Sequence, residues 1–107
     1  MKRGSLVTVA LQGDFGKARP ALVVQSDLHT SHPSMVVLLV TSHLAELPLL
    51  RVDVEPTPTN GLEKYSQVQI DKIFTLVVEK VGKAFGELAP QHMQQVDIRL
   101  RHFLGLH

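Results

Sequence analysis

A short basic segment, Gly16-Lys17-Ala18-Arg19-Pro20, holds the residues best suited to chemistry in this chain of 107 residues. Because Pro20 disfavours helical backbone at the residue before it, Arg19 is expected to be extended, which restricts where its guanidinium can point. A permanently charged planar fork binds phosphate well, and Lys17 supplies a second cation nearby. The segment therefore predicts a phosphate-binding loop. The plainer alternative is a solvated loop arginine before a strand, which composition alone favours.

A second polar segment, Thr41-Ser42-His43, follows a continuous apolar run over residues 35–40. Hydrogen-bonding side chains at the end of a buried strand often line a cleft, and they equally often cap the edge of a sheet. Both interpretations stay open from these residues. The other histidines lack the spacing of metal ligands, so the sequence predicts no metal site. The glycines lack the strand-turn-helix context of a nucleotide-binding motif, and no cofactor is expected.

Two carboxylates are candidates for acid–base chemistry. Asp71 follows an alternating segment that ends at Ile70, and Lys72 comes next. The simplest interpretation of Asp71 is a surface ion pair or a turn residue. Asp14, in the first glycine-spaced loop, is equally ambiguous. If the protein moves a proton, Asp71, Asp14 and His43 are the candidate bases.

The composition indicates one small globular domain, residues 1–107. Apolar residues make up 44% of the chain and charged residues 20%, which argues against intrinsic disorder. The formal charge is only +1, so nucleic acid or anionic lipid would have to bind through a locally basic patch. The lack of cysteine excludes disulfides and thiol catalysis. No signal peptide or membrane-spanning run is evident, which predicts a soluble cytoplasmic protein without a membrane partner.

The elements that must position these side chains are five or six short strands at close spacing. Strand-like segments are predicted over residues 6–11, 21–24, 35–40, 49–55, 65–70 and 73–78, and the segment 81–87 that follows is punctuated by Gly82 and Gly86. The period then changes: from Pro90 to Gly105 apolar residues recur at three- and four-residue steps, which predicts an amphipathic helix. Its predicted apolar face consists of Met93, Val96, Leu100, Phe103 and Leu104. Without strand–helix alternation, a bent antiparallel sheet or small barrel with one packed helix is expected.

Taken together, these segments resemble the MazF/PemK/Kid family of bacterial toxin ribonucleases. The resemblance is carried by the first strand, the Arg-Pro entry into the second, the apolar strand ending in Thr-Ser, and later segments. These are residues 3–11, 16–24, 36–42, 68–73, 80–82 and 86–88. The resemblance implies a mainly β (α+β) fold with a C-terminal helix, a small SH3-like antiparallel barrel of the MazF/Kid/CcdB type.

The activity implied by the resemblance is that of a toxin in a type II toxin-antitoxin system. Such a protein is a sequence-specific, metal-independent endoribonuclease, or mRNA interferase, that inhibits growth. It cleaves single-stranded RNA by attack of a 2′-hydroxyl and leaves 2′,3′-cyclic phosphate and 5′-hydroxyl ends. Its expected partners are single-stranded RNA, a second copy of itself in a homodimer, and a cognate antitoxin whose disordered tail lies across the RNA groove.

The family's functional positions fall on three residues of this chain, which are the predicted catalytic residues. The arginine before the proline is Arg19, and the threonine at the strand end is Thr41. Arg19 would stabilise the phosphorane dianion, and Thr41 would bind a non-bridging oxygen or orient the 2′-hydroxyl. Asp71 matches an aspartate that some members use as a base, although Asp14 and His43 remain alternatives.

The predicted substrate-binding residues surround those positions and are Asp14, Phe15, Lys17, Ser42, His43 and Gln69. Unpaired bases could stack on Phe15 or Tyr65. The chain departs from the family at Gln69 and Phe74, where some members have arginines, so any acid role of those arginines must be filled differently. It also has Ser5 where aspartate is usual, which we interpret as a local feature of the turn.

Two other classes of protein are compatible with the same fold. A non-catalytic gyrase poison of the CcdB group would require a pair of apolar and aromatic contact residues at the C-terminus. This chain ends Phe103-Leu104-Gly105-Leu106-His107, without tryptophan, and it keeps the Arg-Pro segment. An inactive barrel that only binds antitoxin or nucleic acid is the third possibility, which the departures at Gln69 and Phe74 keep open.

Overall fold

The computed structural model describes residues 1–13 and 17–107, so the predictions made for Asp14 and Phe15 lie outside the described residues. The described chain forms six strands followed by one helix. They are β1 (Ser5–Ala10), β2 (Ala18–Val23), β3 (Ser34–Thr41), β4 (Arg51–Val54), β5 (Ser66–Val77), β6 (Val81–Glu87) and α1 (Pro90–Leu104), with short 3-10 turns at Asp27–His29 and Val78–Lys80.

All strand pairs are antiparallel, and the sheet order is β4-β5-β3-β2-β1-β6. The prediction of a mainly β fold with a C-terminal helix is confirmed. The predicted strands 65–70 and 73–78 are one long strand, β5. Leu38 of β3 pairs with Ile73 and Val40 pairs with Val68, so an irregularity bends β5 between its halves. This bend explains why the sequence alternation is interrupted there.

The core lies on both faces of the sheet. Strand β3 is buried on both sides, as its continuous apolar run predicts, because Leu38 and Val40 pack into one cluster while Val37 and Leu39 pack into another. Helix α1 contributes its fully buried Val96 to the first cluster. A sheet buried on two faces is rigid at its centre, so the ends of its strands are the places where polar side chains can be displayed.

The C-terminal helix matches the predicted segment and its capping residues. Pro90 occupies the first turn, and Gly105 ends the helix in the left-handed conformation at φ 69°. Met93 and Leu100 pack against the core beside Val96. The prediction that Phe103 and Leu104 belong to the buried face is wrong, since they are 44% and 50% exposed. The last turn instead contacts the β3–β4 connection, where Phe103 lines an apolar groove with residues 46–50.

The loop after β4 closes the bent sheet onto β6. Its buried Asn60 donates to the Glu55 carbonyl (2.8 Å) and accepts from the amides of Thr57 and Leu62 (both 3.0 Å). The amide of Glu87 in β6 donates to the carbonyl of Thr59 (3.1 Å). This loop gives the sheet its barrel-like closure, and its hydrogen bonds hold the backbone as far as Leu62. None of the helices in the described part of the chain has the length and apolar character needed to span a membrane.

Candidate active site

A cleft of about 860 Å³ opens at the ends of β2 and β3. The two strands pair as far as Ala21 with Leu39, and Arg19 and Thr41 lie just beyond this paired stretch, where both line the cleft. Pro20, which cannot donate a backbone hydrogen bond, lies at the point where this pairing stops. The strands therefore place the two predicted catalytic residues, one from each predicted polar segment, on a common cleft.

Five of the predicted site residues line this cleft together: Lys17, Arg19, Thr41, Ser42 and His43. The Arg-Pro segment lies 20 or more residues before Thr41 in the sequence, so strand pairing alone joins them. Of the two interpretations left open for Thr41-Ser42-His43, the structure supports the cleft. Lys17 and Arg19 are both exposed to solvent, as a site that receives a large charged ligand requires.

The cleft is the locally basic patch that a chain of nearly zero net charge needs for binding a polyanion. Among the described residues, Lys17, Arg19 and Lys64 line it, against one carboxylate, that of Glu63. Glu63 and Lys64 follow the loop that Asn60 holds, a segment that sequence reasoning did not connect with the site. Their contribution could not be read from local spacing because the closure of the sheet brings them there.

The hydroxyl of Thr41 is oriented by a backbone amide two residues further along the chain. Thr41 Oγ1 accepts a hydrogen bond from the amide of His43 (3.0 Å). The oxygen thus serves as an acceptor in the turn, and its hydrogen can be donated to a ligand. Thr41 is suited to donate to a phosphate oxygen, while the same turn presents the His43 side chain at the exposed lining of the cleft.

Two predicted site residues on β5 do not line the cleft. Gln69 pairs with Arg51 of β4, and Asp71 lies in the bend of β5. The carboxylate of Asp71 is 3.6 Å from the ammonium of Lys72. This contact is the surface ion pair that was the simplest interpretation of Asp71.

Among the described residues that line the cleft, the aromatic side chain is Phe85 of β6, which is 38% exposed and was not singled out from the sequence. Tyr65, one of two predicted stacking residues, lines a neighbouring cleft of about 750 Å³ instead. The sequence gives little indication that Phe85 lies at a site, because Gly82 and Gly86 interrupt the apolar alternation of β6. A flat exposed ring beside cations suits the stacking of an unpaired base.

A second residue that sequence reasoning missed is Gln67. Gln67 alternates with the apolar residues of β5, a pattern typical of a half-exposed strand, but it is only 6% exposed. Its amide binds side chains of β4 and the backbone of Ala45, which follows the cleft residues in sequence. In the ranges that the structure describes, no group of three or more histidine, aspartate or glutamate side chains is placed to hold a metal ion.

The fold is a small barrel-like domain with a basic cleft at the ends of two neighbouring strands. Over residues 2–104 the chain matches the family described as PemK-like, MazF-like toxin of type II toxin-antitoxin system, and it belongs to that family. The resemblance found in the sequence is thereby confirmed.

Individual relatives agree with this assignment. A probable endoribonuclease MazF from Mycolicibacterium smegmatis is 37% identical over 107 residues, which cover 99% of this chain and 98% of the relative. An endoribonuclease from mycobacterial species, solved in complex with its cognate antitoxin, has a TM-score of 0.82 at 26% identity, covering 100% of this chain and 97% of that one. The Mycobacterium tuberculosis toxin MazF-mt6 has the same fold, with a TM-score of 0.82 at 23% identity over 96% of this chain and 98% of that one.

Proposed function

We propose that this toxin cleaves single-stranded RNA by attack of a 2′-hydroxyl on the adjacent phosphodiester, without a metal ion. Endoribonuclease activity follows from the family and from the relative that is 37% identical over almost the whole chain. The observation that supports the proposed chemistry is that Arg19 of β2 and Thr41 of the neighbouring strand β3 line the same basic cleft.

The proposed roles follow from the charge that develops on the phosphate. As the 2′-oxygen bonds to phosphorus, the non-bridging oxygens gain negative charge, which the Arg19 guanidinium stabilises with a charge-assisted fork. The Thr41 hydroxyl donates to one of the same oxygens. The bond to the 5′-oxygen then breaks and leaves a 2′,3′-cyclic phosphate and a 5′-hydroxyl. Phe85 offers its exposed ring to an unpaired base beside the scissile phosphate.

Proton transfer needs a base for the 2′-hydroxyl and an acid for the leaving 5′-oxygen. Of the three candidate bases, His43 lines the cleft with Arg19 and Thr41, Asp71 lies outside the lining, and Asp14 lies outside the described residues. We assign the base to His43. Lys17 and Lys64, the ammonium groups of the cleft, are the candidate proton donors to the 5′-oxygen.

Two protein partners belong to the same proposal. A relative at 26% identity was solved in complex with its cognate antitoxin, and the basic cleft would receive the acidic or extended tail of such a partner in place of RNA. A second copy in a homodimer is proposed from the family resemblance, with the exposed apolar side chains of Phe103, Leu104 and Leu106 as surface that a dimer could cover. Both roles, and RNA as the substrate, support the proposal that the protein acts in the cytoplasm.

The first test of the proposed function is incubation of the purified toxin with a long single-stranded RNA in excess EDTA. We expect discrete fragments that end in 2′,3′-cyclic phosphate and begin with a 5′-hydroxyl, because the cleft supplies its own cations. An Arg19→Ala preparation purified in the same way controls for contaminating nucleases. Cleavage that EDTA abolishes, or fragments that carry 5′-phosphates, would contradict the proposed chemistry.

The assignment of the base is tested by comparing two substitutions under the same conditions. We expect His43→Gln to lower kcat by about 100-fold, the lower end of what general acid–base catalysis contributes. The loss for Asp71→Asn is expected to be much smaller, since that carboxylate lies outside the cleft lining. His92→Gln, on α1 and away from the cleft, is the matched control. A larger loss for Asp71→Asn than for His43→Gln would return the base to Asp71.

A further inference from the structure

The segment that follows β3 carries cleft residues but has little backbone support. Ser42 and His43 line the cleft, and residues 42–50 connect β3 to β4. In the part of the chain that the structure describes, no backbone–backbone hydrogen bond between elements fastens residues 43–46. Side chains hold this segment instead, so its conformation depends on whatever supplies them.

The buried amide of Gln67 supplies most of this support. Its oxygen accepts from the Ala45 amide (3.0 Å), and its nitrogen donates to the Ala45 carbonyl (3.1 Å). The oxygen also accepts from Arg51 Nη1 (2.7 Å), and the nitrogen also donates to Asp53 Oδ1 (2.8 Å). Two donors and two acceptor positions are the full capacity of a glutamine amide, so this side chain has a single satisfied orientation.

Gln67 stands beside the catalytic threonine in the sheet. Its strand partners are Thr41 on β3 and Asp53 on β4, so these three residues form a row across the sheet. Arg51 extends the support by donating from Nη1 to the carbonyl of His43 (3.1 Å). With the bond from the His43 amide to Thr41 Oγ1, this network reaches both backbone groups of His43.

The same network contains a feature that stability alone does not favour. Arg51 Nε is buried without a hydrogen-bond partner within the described structure. Burying a donor without an acceptor is unfavourable, and an apolar side chain at this position would avoid it. Arg51 is retained here despite the unfavourable free energy of its buried, unpaired Nε, and it holds the segment that carries His43. This combination indicates that Arg51 positions the segment rather than merely filling space.

We infer that Gln67 is a positioning residue: with Arg51, it clamps residues 41–45 so that Thr41 and His43 are presented to the RNA. This inference rests on the proposed function, because it assigns a catalytic consequence to the clamp. The clamp acts on the reaction step, since it fixes groups that act on the phosphate. Its loss should therefore lower kcat more than it raises KM.

The test compares Gln67→Met with Gln25→Met. Methionine has nearly the length of glutamine and removes every amide hydrogen bond. Gln25 is a matched control because its side chain also holds a backbone segment, accepting from the Val36 amide and donating to the His29 carbonyl (both 3.0 Å). It does so away from the cleft lining. Each variant is measured for kcat and KM on single-stranded RNA and for amide hydrogen exchange at Ala45 and His43.

For Gln67→Met we expect faster exchange at Ala45 and His43 and a roughly tenfold lower kcat with KM changed less than about threefold. For Gln25→Met we expect wild-type kinetics. Equal losses of kcat in the two variants would overturn the inference, as would faster exchange in Gln67→Met with kcat unchanged or exchange that stays as in wild type. Failure of the proposed function looks different: wild-type protein itself would then leave RNA intact, and the clamp would have no catalytic role to perform.

Discussion

Replacement of Arg19 by alanine is expected to slow RNA cleavage by about 100- to 1,000-fold, the usual loss when one preorganised donor to a developing oxyanion is removed. The substitution removes a guanidinium that lines the same cleft as Thr41, where the phosphorane charge would form under the proposed mechanism. Because Arg19 is exposed, the protein should keep its fold. The measurement is single-turnover cleavage of a single-stranded RNA, together with the circular dichroism spectrum of each variant.

Two further variants distinguish the effect of the guanidinium at position 19 from the effect of positive charge in general. Arg19→Lys keeps a cation but loses the planar fork, so we expect a rate between those of wild type and Arg19→Ala. Arg101→Ala removes an exposed arginine of α1 that does not line the cleft, and its rate should equal that of wild type. An Arg19→Ala protein that is folded and cleaves RNA at the wild-type rate would contradict the proposed mechanism.

The same substitution discriminates between the classes of toxin that the sequence allowed. A gyrase poison would not need this guanidinium, so Arg19→Ala would still inhibit growth when produced in cells without antitoxin. A ribonuclease toxin should lose growth inhibition and cleavage together. The family match and the 37% identical relative favour the second outcome.

The pair at the centre of the site could be anticipated from local sequence. Pro20 constrains Arg19, and a run of apolar residues followed by Thr41 predicts a buried strand with a polar end. Antiparallel pairing of β2 with β3 then brings the start of β2 close to the end of β3, so Arg19 and Thr41 line the same cleft. Each step depends only on residues close together in sequence, which is why the prediction and the structure agree.

Features that depend on closure of the sheet could not be anticipated in this way. Phe85 and Lys64 reach the cleft because the loop around Asn60 packs on β6, a contact between segments that are not neighbours in the sheet order. The burial of Gln67 could not be predicted because alternation indicates which face of a strand is apolar, not whether a loop covers the polar face. The resemblance pointed to Asp71 as a base, but the bend in β5 leaves it outside the cleft lining.

The closure itself can be tested at Gly86. A Cβ at this position would lie 2.9 Å from the Asn60 Cα and closer still to its carbonyl carbon and oxygen. These are backbone atoms, and Asn60 is held by three hydrogen bonds from its own side chain, so the loop cannot shift without breaking them. We expect Gly86→Ala to lower the free energy of unfolding by about 3 kcal/mol or more. For a domain of this size, the Tm would fall by more than about 10 °C.

Gly105→Ala is the matched control for this steric argument. Gly105 has a φ of 69°, which an alanine adopts only with strain, but nothing lies within 4 Å of its Cβ position. We expect that substitution to lower the free energy of unfolding by about 1 kcal/mol, which is the strain of the left-handed conformation alone. Thermal unfolding of both variants decides between steric conflict and conformational strain. If Gly86→Ala were no less stable than Gly105→Ala, the Asn60 loop would not be the rigid closure of the sheet, and its placement of Lys64 at the cleft would lose its support.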